Sequence, residues 1–188
     1  MNSPLKIALS SSLINAAFAM YYLGFGIRTS SLWLLMLGVY YFVLSLVRLV
    51  VLLLKKQDAA ATTFAGGMLM ALSVPLVGIV LLSIMRDRGT RFHTIVMIAI
   101  ATYAFAKIIL ATINLIKSRH SASGTLIALR NIAFADSFVS IFALQRSMLV
   151  SFEGMTQTEI IIINAALGSV VCVVVFLLGF HLVKRKKY

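Results

Sequence analysis

Four ionisable residues, Asp136, Lys107, Arg48 and Arg130, sit inside long apolar stretches, and any chemistry of this chain must rest on them. Asp136 is the only acidic residue in the interior of such a stretch, Glu159 standing at the very start of its own. A charge near the centre of a bilayer costs about 2.5–3.5 kcal/mol on insertion scales, so something must offset it. Asp136 can pair with Lys107 or Arg130. The surplus positive charge can then hold an anionic group such as a phosphate, a carboxylate or a lipid head group. The opposing reading is a buried ion pair, with Arg48 and Arg130 snorkelling to the membrane surface and no ligand.

Two polar neighbours complete the candidate set. Tyr103, Lys107, Ala111 and Asn114 are spaced by four, four and three, and so share one helical face. Ala133, Asp136, Ser140, Ala143 and Ser147 form a second stripe, of small and polar residues. Small residues admit a neighbouring backbone and serine can bond across, so this stripe is expected to face other helices. The candidate ligand-binding residues are therefore Asp136, Lys107, Arg130, Arg48, Asn114 and Ser140.

The elements that must position them are membrane helices. The chain has 188 residues, 61% hydrophobic and 12% charged, about half the charge fraction of a soluble domain. Six continuous apolar runs, each near the ~20 residues a bilayer needs, cover Leu5–Phe25, Ser31–Leu54, Phe64–Met85, His93–Ile116, Gly124–Val150 and Thr158–Val183. Continuous runs favour helices over a barrel of alternating strands. The expected fold is all-α: one integral membrane domain over residues 1–188, with six transmembrane helices. Tyr41–Lys55 aligns without gaps on Tyr103–Lys117, a pattern compatible with repeated helical hairpins.

Local signals refine this picture. The first run loosely imitates a signal peptide, but Ser10-Ser11-Ser12 and Asn15 make a poor apolar region, so a retained helix is expected. Ser11, Ser12 and Asn15 mark its packed face. Trp33 fits an interfacial anchor, and Arg146 a snorkel to the outer surface. Asn15, Asn114 and Asn164 read as interhelical hydrogen bonds. Thr156 and Glu159 match a capping box at the start of the sixth helix.

The formal net charge is +12. Most of these charges lie in loops and at helix ends, where they set topology and meet anionic lipid, and no soluble domain is left to bind nucleic acid. Lys6, Lys55, Lys56, Lys117, Arg119 and the Lys184–Lys187 tail favour both termini in the cytoplasm of a cell membrane. Arg28, Arg86, Arg88 and Arg91 oppose that bias, partly balanced by Asp87, Glu153 and Glu159. Cys172 stands alone and no metal-ligand spacing occurs, so no cofactor is expected. Nucleotide and nucleophile motifs are absent, and catalysis has no support here.

Phe92-His93, Tyr103, Ile113–Lys117 and the run Ala135–Gln145 resemble an uncharacterised family of small six-helix membrane proteins from Gram-positive bacteria. The likeness covers about the second half of the chain. It implies a bacterial cytoplasmic membrane and a six-helix fold, with no known activity. That family often has alanine at the place of Asp136, so the resemblance assigns this residue no role. The best expectation is a small transport or solute-binding component with a cytoplasm-facing polar pocket. The alternatives are a non-catalytic accessory subunit and, more weakly, a lipid-modifying enzyme. The partners this allows are the lipid bilayer, a small anionic solute or lipid head group, and a partner membrane subunit or second copy of the chain.

Overall fold

The computed structural model describes residues 3–85, 94–118, 123–151 and 154–184. Six α-helices account for nearly all of them: α1 (Ser3–Thr29), α2 (Leu32–Leu53), α3 (Asp58–Met85), α4 (Thr94–Ser118), α5 (Gly124–Ser151) and α6 (Gln157–Lys184). A single 3-10 turn, Leu54–Lys56, follows α2, and no strand occurs among the described residues. By length and composition α2, α3, α5 and α6 can each cross a membrane, while α4 contains a shorter apolar stretch, Ile100–Ile116. The architecture is the all-α polytopic fold that the apolar runs predict. Arg86, Arg88, Arg91, Arg119 and the residues after Lys184 lie outside the described residues, as do Asp87, Phe92, His93 and Glu153.

Two boundaries differ from the apolar runs. α1 continues past Phe25 to Thr29, and α3 starts at Asp58 instead of Phe64. The early turns of α3 are built from Ala59-Ala60-Ala61 and two threonines. Thr62 Oγ1 donates to the Asp58 carbonyl at 3.0 Å and Thr63 Oγ1 to that of Ala59 at 2.9 Å, which satisfies polar groups that would otherwise oppose burial. Hydropathy marks where lipid begins, not where a helix begins.

The first connection is very short. Ser31 N–H donates to the Gly26 carbonyl at 3.0 Å and Ser30 N–H to that of Ile27 at 3.2 Å, the two bonds of a Schellman ending. Ser30 takes the left-handed conformation (φ 51°) that this ending requires. Ser31 then caps α2 by accepting from the Leu34 N–H. At the other end of the chain Thr156 and Glu159 make the expected reciprocal bonds, Thr156 N–H to Glu159 Oε2 at 2.8 Å and Glu159 N–H to Thr156 Oγ1 at 3.4 Å.

α5 is the central helix. Residues all around it are buried, among them Ile132, Ala135, Asp136, Val139, Phe142, Ala143 and Arg146. It packs on α2, α3, α4 and α6. The remaining close packings are α1 on α2, α2 on α3 and, most extensive of all, α3 on α6. This pattern corrects the hairpin reading: α3 and α4 do not pack together as a unit. Consecutive helices otherwise pack in order, α1 on α2, α2 on α3, α4 on α5 and α5 on α6, and α3–α6, α3–α5 and α2–α5 join the first three helices to the last three.

Glycine lets α3 and α6 approach. A β-carbon on Gly66 would lie 2.7 Å from the Gly179 carbonyl oxygen, and one on Gly179 would lie 2.7 Å from that of Gly66. The two backbones therefore touch, with dispersion as the main attraction in the absence of a water-driven hydrophobic effect between lipid-embedded helices. We expect Gly179→Ala to destabilise the bundle by about 1–3 kcal/mol through overpacking. Thermal unfolding in detergent measures this. Gly67→Ala, at a position open to its surroundings, is the control and should leave stability unchanged.

Candidate functional site

Four helices converge on the Asp136 carboxylate, which is fully buried. Arg48 of α2 donates from Nη2 to Oδ2 at 2.6 Å, and Asn15 of α1 donates from Nδ2 to the same oxygen at 2.6 Å. Lys107 of α4 donates from Nζ to Oδ1 at 2.7 Å. Both cations are ion-paired to one carboxylate, so the cluster carries a formal surplus of one positive charge. Such a pair is tolerable in a dry interior only where further hydrogen bonds support it, and here Asn15 and Ser140 add bonds to Asp136 and Lys107.

The second layer completes Lys107. Its ammonium also donates to Ser140 Oγ at 2.9 Å and to Asn15 Oδ1 at 3.2 Å, which uses its three donors. Ser140 has one O–H, directed to the Asp136 backbone carbonyl at 2.9 Å. The 3.0 Å contact between Ser140 and Tyr41 is then donated by the tyrosine. The Lys107 ammonium also lies 5.3 Å from the centre of the Tyr41 ring and 5.5 Å from that of Tyr103, within cation–π range.

A small recess opens onto this cluster. It is lined by Phe18 and Tyr22 of α1, Tyr41 of α2, Ile100, Tyr103, Ala104 and Lys107 of α4, and Ser140 of α5. Its free volume is about 10 Å³, room for about one water molecule. Two stacked pairs frame it: Phe18 on Tyr103, with ring centres 4.6 Å apart, and Tyr22 on Tyr41, at 5.8 Å. Lys107 and Ser140 are the members of the charge cluster that reach the recess, whereas Arg48 holds Asp136 from behind it.

Of the six residues picked out by type and spacing, Asp136, Lys107, Arg48 and Ser140 come together. Arg48 does not snorkel; it is 2% exposed and points inward to the carboxylate. Arg130 forms no ion pair with Asp136, and its Nη1 is buried without a hydrogen-bond partner among the described residues. Asn114 is half-buried and no contact ties it to the cluster. Asn15 and Tyr41 join the site without having been singled out for it. Asn15 was legible as part of a packed polar face, and its neighbour Ser12 does cross-bond, Ser45 Oγ donating to its carbonyl at 3.1 Å. Nothing in the spacing of Tyr41 marked it.

Three further expectations fail. Arg146 is buried, donating to the Ser83 carbonyl and lying 4.9 Å from the centre of the Trp33 ring. The pair thus holds the start of α2 to the ends of α3 and α5, and Trp33, at 8% exposure, is an internal anchor instead of an interfacial one. Asn164 is fully buried, yet neither atom of its amide has a protein partner among the described residues.

At one end of the bundle Asp58 makes a separate connection. Its carboxylate accepts from the Gly124 and Thr125 N–H groups, each at 3.0 Å, and from Thr125 Oγ1 at 2.6 Å. Asp58, at the start of α3, therefore caps the N-terminus of α5, where a negative charge also meets the helix dipole.

Among the described residues no three His, Cys, Asp or Glu side chains gather as a metal site would require. No protein-family model, curated protein or solved structure matches this chain.

The charge count makes the cluster's response to substitution asymmetric. Removing Asp136 leaves two cations side by side in a dry interior. Removing either cation leaves a neutral pair. We expect Asp136→Asn to destabilise by about 3–5 kcal/mol and Arg48→Met or Lys107→Met by clearly less. Unfolding in detergent ranks the three variants, and equal losses would contradict this electrostatic account.

Proposed function

We propose that this protein is a small membrane transport or solute-binding component that takes an anionic group at Lys107. The observation that carries the reading is the surplus positive charge at a lysine that also lines a recess. A carboxylate or phosphate oxygen entering there meets Lys107 Nζ and the hydroxyls of Ser140 and Tyr41. Asp136 is the resting counter-ion: it keeps Lys107 charged and positioned, and gives up part of its hold when the ligand arrives. Arg48 and Asn15 hold Asp136 in place during that exchange. The wider setting in this reading is a cell membrane with both termini cytoplasmic, which the basic residues Lys55, Lys56 and Lys184 support.

A second reading, a non-catalytic accessory subunit, is favoured by one specific observation. Every donor of Lys107 and both oxygens of Asp136 are already satisfied inside the protein, and the recess is no larger than a water. A cluster of that kind can serve only to fix how four helices meet.

Binding distinguishes the two. Purified protein in lipid nanodiscs is titrated with acetate, inorganic phosphate, palmitate and phosphatidic acid, beside Lys107→Met. Charge-assisted hydrogen bonds contribute about 1.5–3 kcal/mol, so at least one probe should bind, and about 10–100-fold more weakly to the variant. No binding of any probe, or equal binding to the folded variant, leaves the accessory-subunit reading in its place.

A further inference from the structure

The recess lies on the seam between α1 and α4, and this seam is the least packed place around the charge cluster. α1 rests mainly on α2, and α4 on α5. Between α1 and α4 the described contacts at this level are side-chain tips: the Phe18–Tyr103 stack and the 3.2 Å bond from Lys107 to Asn15. Both contacts fall near the middle of their helices, since Asn15 and Phe18 are central in Ser3–Thr29, and Tyr103 and Lys107 in Thr94–Ser118. The seam is flanked by exposed apolar residues, Ile14 on α1, four residues before Phe18, and Leu110 on α4, seven residues after Tyr103. In a bilayer these flanks face hydrocarbon. A water-soluble anion would have to cross about half of the ~30 Å apolar layer to reach Lys107. A membrane-borne molecule is already at its door.

We propose that the ligand of this site is a single-chain amphiphilic carboxylic acid that enters sideways from the bilayer between α1 and α4, with the Phe18–Tyr103 stack as the gate. This rests on the reading of Lys107 as the group that receives the ligand's head-group oxygen, here from the acid in its neutral form. A carboxylic acid can pass through hydrocarbon in its neutral form, which avoids the cost of carrying a bare charge to mid-depth. In the site its C=O accepts from Lys107 Nζ while its O–H donates to the Tyr41 hydroxyl oxygen, both of which line the recess, so no charge has to be created or moved. The alkyl chain stays outside, along the exposed apolar faces of α1 and α4. The recess itself needs to admit only the head group, and parting the two stacked rings enlarges it.

Photolabelling with a diazirine-bearing palmitate tests this, using the full chain in phosphatidylcholine nanodiscs. We expect labelling to map to α1 and α4 peptides around Phe18 and Tyr103, to be competed by palmitate and not by excess acetate, and to fall at least tenfold in Lys107→Met. Phe18→Ala should speed the approach to maximal labelling several-fold, and Ser140→Ala should weaken competition by palmitate, which keeps the test open if Lys107→Met fails to fold. Acetate competing as well as palmitate, with no effect of Phe18→Ala, overturns the lateral route and leaves the anion site standing. Labelling spread evenly over the apolar surface, and unchanged in Lys107→Met and Ser140→Ala, overturns the amphiphile as ligand. If acetate and phosphate also fail to bind, the reading of Lys107 as an anion site falls with it.

Discussion

The bundle is organised around one buried carboxylate that cannot be left alone. Asp136 lies in the middle of the central helix, and each of its neighbours from another helix answers its charge: Asn15 from α1, Arg48 from α2 and Lys107 from α4. The hydrophobic effect does little to bring helices together within lipid, so polar bonds and close packing must fix the arrangement. α1 and α4 depend on this most, since each packs mainly on one other helix. For α4 the Lys107–Asp136 pair reinforces its packing on α5, while the Lys107–Asn15 bond, the Phe18–Tyr103 stack and the Lys107–Tyr41 contact tie it to α1 and α2. The same bonds that assemble the fold therefore place a lysine at the wall of a recess.

The two ends of the bundle use different chemistry from the middle. At one end Asp58 caps α5 from α3, joining two helix starts through backbone N–H groups. At the other, Arg146 lies over Trp33 and bonds the Ser83 carbonyl. α3 and α6 need neither device, because Gly66 and Gly179 bring their backbones into contact. α1 packs closely on α2 and α4 on α5, whereas the seam between α1 and α4 is closed by rings and one hydrogen bond. This division of labour is what a site needs if its ligand is to enter without unpacking the core.

The six helices were legible because continuous apolar runs of membrane length permit little else. The face of Asp136 was legible too, since small and polar residues recur along it at helical spacing. Which cation reaches Asp136 was not legible. Arg48 lies two turns from the end of its helix, where snorkelling and inward pairing are equally compatible with the chain; only the approach of α2 to α5 decides. Arg130 precedes Asp136 by six residues on the same helix, which sends it to a different side. Arg146 and Trp33 each suit the membrane surface by residue type, and they are inside because they satisfy each other. The order of packing, α3 on α6 in place of α3 on α4, arises from glycines far apart in the chain that no local pattern connects.

The central claim is that Lys107 rests on Asp136 and shares itself with an entering acid. The most direct measurement is the ¹⁵Nζ resonance of Lys107 in the full chain in nanodiscs, assigned by its loss in Lys107→Met. It should report a charged, hydrogen-bonded ammonium that shifts in Asp136→Asn and shifts, saturably, when palmitate is added but not when acetate is added. A resonance that ignores palmitate while responding to Asp136→Asn would leave the ion pair as a structural joint and contradict the account.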